Sequence, residues 1–512
     1  MVISMKFVRK TALLLAVLMI FSVVVFAACG KEEQKETTDD NRWHLSDEPG
    51  RPSTPDGLPE DLDLEGYEAV ALYRAGDWVN FYECEGSIDT GENFNTVYQV
   101  VYERNKTVEW RLNCKLTWFP TDSGDLNETA SQISRVMQTQ EYFDFINSTN
   151  NTMLSSGLNA LLCDLSDTEY IDLGQPWWWE DVNNALSVDN YRYNYIVGDM
   201  HIINLTKMSA FYFNTELVES MLKQDKAYMY GLVDDKRWTL EQLYTMIRTL
   251  YKDTSVNPAM TNKRDQGDVF GMVYSNTGET VNQFVFSTRV AKNTYTRDDK
   301  GIVTLNIKGN EDVITVVDVL RKIYHEAEGS WESTTGFDSG LIKEFSEGNY
   351  VFFPQRLSAA PSSYMREMKT DYGILPYPTL EEGDDYVSDI QTSSTSLCVQ
   401  AVVELEDNLD TVSALIEALC SEAYRYTTVA FYELALKAKY ARDDDASRMI
   451  DIIYESAHKS FIVEYGQYAG NIMNLLGNAI RSNSDVTSSI DAANDAAQNT
   501  INAFISKVVK ES

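Results

Sequence analysis

Pro176 leads into Trp177-Trp178-Trp179, three indoles in a row, and short polar side chains crowd Asn147-Ser148-Thr149-Asn150-Asn151. The two groups suit complementary halves of one task. An aromatic face accepts apolar CH surface, while Asn, Ser and Thr both donate to and accept from hydroxyls. A polyhydroxylated ligand such as a sugar needs both, which makes Ser148, Thr149, Asn150, Trp177 and Trp178 candidate contacts. For the indoles, packing between helices is the competing reading. Gln355-Arg356 follow the apolar stretch Val351-Phe352-Phe353, and the guanidinium fork fits a carboxylate or a pair of hydroxyls. His201 and Asn204, just after Gly198-Asp199, are further candidates.

Little points to catalysis or metal binding. The four histidines, His44, His201, His325 and His458, are scattered, with no HExxH. After Cys29 come Cys84, Cys114, Cys163, Cys398 and Cys420, an odd number with no CxxC spacing. Buried free thiols are the expectation. There is no G-x-S-x-G, P-loop or Rossmann glycine pattern, so no cofactor is expected. The acids Asp253 and Asp265 to Asp268 are split by Pro258-Ala259-Met260, a poor calcium loop. With 78 Asp and Glu, a surface glycoside-degrading enzyme using a carboxylate pair stays an alternative, although no motif flags one.

Elements must hold these residues in place, and the pattern is alternating strand and helix. Asp77 to Tyr82 reads as a short strand, and Val97, Val100, Val101 and Arg104 follow at helical spacing. Cys114, Leu116 and Trp118 alternate as a second strand closed by Pro120; Ile133, Val136 and Met137 mark a helix; Tyr142 to Ile146 is a third strand. Such repetition argues for mainly parallel sheets flanked by helices, with ligands outside the carboxyl ends of the strands. Those ends fall near Glu83, Phe119-Pro120 and Asn147 to Asn150. Further on, Thr239 and Gln242 form a capping box that opens a helix with Leu240, Leu243, Tyr244, Ile247 and Leu250 as its stripe. Val412, Leu415, Ile416, Leu419 and Cys420 make an amphipathic face, and a last helix is expected between Asp485 and Lys510.

The N-terminus addresses the compartment. Lys6, Arg9 and Lys10 precede an apolar run from Ala12 that ends in Phe26-Ala27-Ala28-Cys29. This start resembles a bacterial lipoprotein signal, residues 1–28, with Cys29 lipidated and the membrane reached through acyl chains rather than a spanning helix. An uncleaved signal anchor is the alternative. Residues 29–65 are polar and acidic with four prolines, and read as a disordered tether. Removing the leader takes away Lys6, Arg9 and Lys10 and no acid, deepening the formal charge from −35 to −38. Such a surface repels phosphate backbones, so no nucleic-acid partner is expected. The rest of the chain is too long for one core and suits two lobes.

Several segments in order resemble the solute-binding lipoproteins of sugar-type ABC importers. They are Gly198-Asp199-Met200, then Met208-Ser209-Ala210-Phe211-Tyr212-Phe213-Asn214-Thr215-Glu216-Leu217, then Arg237-Trp238-Thr239-Leu240-Glu241-Gln242-Leu243. Downstream follow Phe345-Ser346-Glu347-Gly348-Asn349-Tyr350-Val351-Phe352-Phe353 and Tyr372-Gly373-Ile374-Leu375-Pro376-Tyr377-Pro378. Thr215 stands where that family commonly has Lys. The resemblance implies a two-lobed, periplasmic-binding-protein-like α/β fold: lobe one from 66–209 and 378–432, lobe two from 210–377 and 433–512. It puts chain crossings near Ala210–Phe213 and Gly373–Pro376. It further implies a non-enzymatic monomer that closes on a small ligand, an oligosaccharide, and hands it to transporter permease subunits; the many Tyr and Trp and the few cationic candidates point to a neutral or weakly acidic one. Tyr465, Gln467 and Tyr468 fall in the segment that lends an aromatic to the cleft in that family. The implied location is the outer face of a single-membrane, Gram-positive cell. A sensing or adhesion lipoprotein of the same fold is the alternative.

Overall fold

The computed structural model describes residues 54–88, 96–139, 143–150, 152, 162–166, 168–187, 189, 191–254, 267–335, 339–391, 395–399, 408–432, 444–466, 469–484 and 487–510. Cys29, Gln467 and Tyr468 lie outside them. The strands, in chain order, are β1 (Tyr67–Tyr73), β2 (Cys114–Pro120), β3 (Phe145–Thr149), β4 (Ser209–Asn214), β5 (Phe270–Ser275), β6 (Tyr295–Arg297), β7 (Val303–Leu305), β8 (Ser330–Ser333), β9 (Tyr350–Arg356), β10 (Tyr372–Leu375), β11 (Ser388–Asp389), β12 (Thr395–Val399) and β13 (Ala457–His458).

Two sheets organise the molecule. The first runs β12-β3-β1-β2, with β1, β2 and β3 parallel and β12 antiparallel to β3. The second runs β10-β4-β9-β5-β8, with β9, β5 and β8 parallel and β4 antiparallel to both its neighbours. Helices cover them, as a sheet buried on both faces requires. Thr96–Arg111 and Leu409–Glu422 pack together on lobe one; Glu311–His325 packs against Leu240–Thr249 and Ile472–Ser482 on lobe two. Thr239 caps its helix as the sequence predicts, its hydroxyl accepting from Gln242 N at 3.2 Å. The strands of sheet two are buried along their whole length at β4, β5, β9 and β10, with Phe211, Phe352 and Trp238 clustered beside them. Among the described residues no helix is long and apolar enough to cross a membrane.

Among the described residues the chain passes between the sheets at two adjacent places. Lys207–Ser209 and Ser388–Gln391 lie antiparallel, with a bridge between Met208 and Ile390 and a bond from Gln391 N to Lys207 O at 3.2 Å. β11 then pairs in parallel with β13, Ser388 opposite Ala457 and Asp389 opposite His458. These paired segments are where a hinge between the two sheets would lie.

Four expectations are corrected. Asp77–Glu83 is a helix, not a strand; Val79 and Glu83, four apart, are both buried, a helical spacing masked by the aromatic residues between them. The first strand is β1, beginning two residues beyond the end of the expected tether. That tether's last part, 54–65, is docked: Leu58 is buried, and Asp56 is held by Arg111 through two 2.6 Å bonds and by Ser421 at 2.9 Å. Finally, 210–213 and 373–376 sit inside sheet two rather than at crossings. Residues 378–387, expected in lobe one, pack on lobe two, where Thr379 N bonds Trp238 O at 3.0 Å and the Tyr386 hydroxyl donates to Val233 O at 3.1 Å. Pro376 and Pro378 looked like the end of a strand crossing, but the chain runs on for ten further residues before it turns into the hinge.

Candidate functional site

Strand β3 leads into the space between the sheets. Asn147, Ser148, Thr149 and Asn150 are all buried, flanked by β1 and β12. Asn147 donates to Glu83 Oε2 at 3.1 Å, and Glu83 Oε1 accepts from Ile203 N at 3.3 Å. Behind them Arg104 Nη2 donates to Glu83 O at 2.6 Å and Cys84 O at 3.3 Å. A cation thus meets the carbonyl end of the Asp77–Glu83 helix, where the dipole favours it. Burial lowers the Arg104 pKa to about 10, which leaves it charged at neutral pH.

His201 and Asn204 are buried next to this group. His201 Nδ1 lies 3.1 Å from both the N and the O of Gly198. Burial pushes its pKa down to about 3, so the imidazole is neutral. A neutral ring offers hydrogen bonding without a charge for an anion to seek.

From sheet two come Gln355 and Arg356, the last residues of β9, both buried. Arg356 Nη1 donates to Gln391 Oε1, and Nη2 reaches Glu279 Oε1 at 2.9 Å. Gln391 Nε2 donates to the same Glu279 oxygen at 2.5 Å. Glu279 opens the helix that follows β5, at the carboxyl end of a parallel strand, and its side chain is 37% exposed, against 5% for Arg356.

A third segment closes the floor. Lys459, just after β13, donates to Glu464 Oε1 and to Gln391 O at 3.2 Å. Glu464 Oε2 accepts from Asn150 Nδ2 at 2.9 Å. That bond runs directly from the end of β3 in lobe one to lobe two. On the hinge strand β11, burial pushes the Asp389 carboxyl up to about 8, with Lys459 opposing. Tyr465 is buried, stacked on Phe461 at 4.5 Å, 2.7 Å from the Tyr195 hydroxyl and donating to Leu186 O. Its phenol pKa is raised by burial.

Of the polar candidates, Asn150 and Arg356 join one network through Glu464, Lys459 and Gln391; Tyr465 bonds Tyr195 and Leu186 instead, and His201 stays on Gly198. The expected role of Trp177 and Trp178 is corrected. Both are buried in the lobe-one interior, where their Nε1 groups donate at 2.9 Å to the two oxygens of Glu417 on the Leu409–Glu422 helix. Neither presents a face to the space between the lobes. Gly198 serves that packing, since a Cβ there would stand 2.8 Å from the Trp178 ring. Glu279, Gln391, Lys459 and Glu464 were not foreseen. Glu279 was reachable by the same strand-end rule that picked Asn147 to Asn150; the other three carry no local signal.

The backbone of this chain aligns with solved structures over most of its length. UspC of M. tuberculosis superposes with a TM-score of 0.52 over 85% of this chain and 100% of its own, at 13% identity. The galacto-N-biose-/lacto-N-biose I-binding protein of an ABC transporter from Bifidobacterium longum, solved with lacto-N-biose, gives 0.51 over 86% and 98%, at 11% identity. The fold is periplasmic-binding-protein-like. No protein-family model and no curated protein sequence matches the chain. Buried polar groups from both sheets meet beside the strands that join them, Asn150 with Glu464 and Arg356 with Gln391.

Proposed function

We propose that this chain is an extracellular binding protein that closes its two lobes around a small polyhydroxylated ligand, an oligosaccharide, and delivers it to an ABC transporter. The observation that carries the reading is the floor between the sheets. Donors and acceptors from both lobes converge beside the hinge, and the charges there are matched: Arg356 with Glu279, Lys459 with Glu464. Cations already engaged by carboxylates offer little to an anion but leave hydrogen-bonding groups for hydroxyls. The fold supports it, since one protein with this backbone was solved with lacto-N-biose. The protein acts by binding, as a monomer.

The test is thermal unfolding in the presence of neutral, acidic and amino oligosaccharides. A ligand that binds only the native state raises Tm by mass action, by about 2.7 kcal/mol of stability at one hundred times its Kd. A neutral oligosaccharide should shift Tm; a shift confined to amino acids or peptides would defeat the sugar reading. The membrane attachment through Cys29 is part of the same proposal. Cys29→Ala should release the protein from membranes, and a variant that is still processed and retained would place the anchor elsewhere.

A further inference from the structure

The lobes also touch through a hairpin of lobe two. β6 and β7 pair antiparallel, Tyr295 opposite Leu305, and the Thr487–Lys510 helix holds the hairpin to lobe two through Gln498, whose side chain bonds Leu305 N at 2.7 Å and Val303 O at 2.9 Å. Its outward end rests on lobe one, at the carbonyl end of the Glu180–Leu186 helix. Arg297 Nη2 donates to Asn184 O at 3.1 Å and Ser187 O at 2.6 Å, so a cation again occupies the negative end of a helix dipole. The Tyr191 hydroxyl donates to Asp299 O in the hairpin turn. At Gly301, φ is +74° and a Cβ would lie 1.5 Å from Asp189 O, so only glycine allows the turn to approach this closely. The Arg297 guanidinium also sits 5.0 Å from the centre of the Phe461 ring, and Phe461 stacks on Tyr465, which reaches the same helix end at Leu186 O.

The Glu180–Leu186 helix is rooted in lobe one by Trp177 and Trp178, which precede it. The hairpin is rooted in lobe two. The Glu180–Leu186 helix also packs on β13 beside the hinge strand β11, so these bonds join the two bodies next to the hinge, where rotation of one lobe on the other must strain or remake them. From this geometry we propose that the β6–β7 hairpin is an interlobe clasp, with Arg297 as its positioning residue, and that it sets the balance between the open and closed forms. The inference rests on the reading of the chain as a hinge-closing binding protein. Arg297 touches no ligand in this scheme; it acts on affinity by stabilising one of the two forms.

The experiment is a distance measurement between spin labels, one on each lobe at exposed sites far from the cleft, on the full chain without ligand. Arg297→Ala should shift the distance distribution, and Arg297→Lys should restore part of it. In ligand titrations Arg297→Ala should change Kd by about 5- to 50-fold, the worth of one or two charge-assisted bonds. Weaker binding places the clasp in the closed form and tighter binding in the open form; either supports it. Unchanged distances with unchanged Kd overturn the clasp. The distance readout needs no ligand, so a chain that binds no sugar but whose lobes shift on Arg297→Ala defeats the sugar reading and leaves the clasp standing. If Arg297→Ala does not fold, Tyr191→Phe removes one bond of the same contact, and the same two readouts decide.

Discussion

Two buried polar clusters of this molecule solve the same problem in different ways. In the interior of lobe one, Glu417 is buried and takes one bond from each of two indoles, Trp177 and Trp178. Burial raises its pKa to about 8, with the indole bonds opposing, so the carboxyl is protonated at neutral pH and the cluster is uncharged. Between the lobes, Lys459 and Glu464 are almost as inaccessible, with side chains 1% and 0% exposed, yet they face each other as a pair extended by Asn150 and Gln391. The first cluster uses partners of a single lobe and neutralises its acid by a proton. The second draws Asn150 from one lobe and Glu464 from the other and neutralises its acid by a cation. A protonated acid packed among indoles has no reason to part. On the proposed function, a bond between lobes is one that closure could exchange for a bond to a ligand.

That contrast can be broken by substitution, and the largest effect should come from the interlobe pair. Lys459→Met leaves Glu464 buried without its cation, a change that typically costs about 3–5 kcal/mol, because the orphaned charge cannot be solvated. Chemical denaturation should show that loss, and ligand binding should weaken as well. Adding Glu464→Leu should recover much of the stability, since an apolar pair of similar volume replaces a buried ion pair at little cost, while binding stays impaired. A Lys459→Met protein within about 1 kcal/mol of the parent would mean that the pair is already solvated.

A smaller and differently shaped effect is expected at Glu417. Its folded pKa is raised above the ordinary carboxylate value of 4.5 to about 8. The stability it contributes is therefore complete below about pH 4.5 and lost as the pH rises through about 8. Glu417→Gln does not titrate and costs about 1–2 kcal/mol at pH 5, because the amide accepts from only one indole. With rising pH the parent should lose that advantage and fall to or below the variant by pH 9. Asp389, also raised to about 8, slopes both proteins alike, so the difference between their melting temperatures is the quantity to follow. A difference that stays constant from pH 5 to 9 would show that Glu417 does not titrate in that range, and the proton would not be what distinguishes the two clusters.

Much of the architecture was readable before any coordinates. The strand at Cys114–Pro120, the capped helix after Trp238 and the last long helix announce themselves through spacing within a dozen residues, whereas Ser209–Asn214 was expected from the family resemblance. The start of lobe one did not, because Phe81 and Tyr82 beside Val79 imitate a strand while the real first strand, Tyr67–Tyr73, alternates weakly. The candidate site was legible in its polar half. Asn147 to Asn150 end a predicted strand, and Gln355-Arg356 end another, and strand ends face the cleft in a sheet of this kind.

What the sequence determined by itself was periodicity and order: which stretches are strand or helix, in what succession, and so the two-lobed α/β class. These depend on the residues within a few turns of one another. Only the tertiary structure decided where the polar groups point and what they meet. Trp177 and Trp178 bond an acid some 240 positions away, and Asn150 bonds one 314 positions away. The choice between a stacking platform and a core was therefore never local. It was settled by which helix docks over the indoles, and that is decided by the burial free energy of the whole lobe.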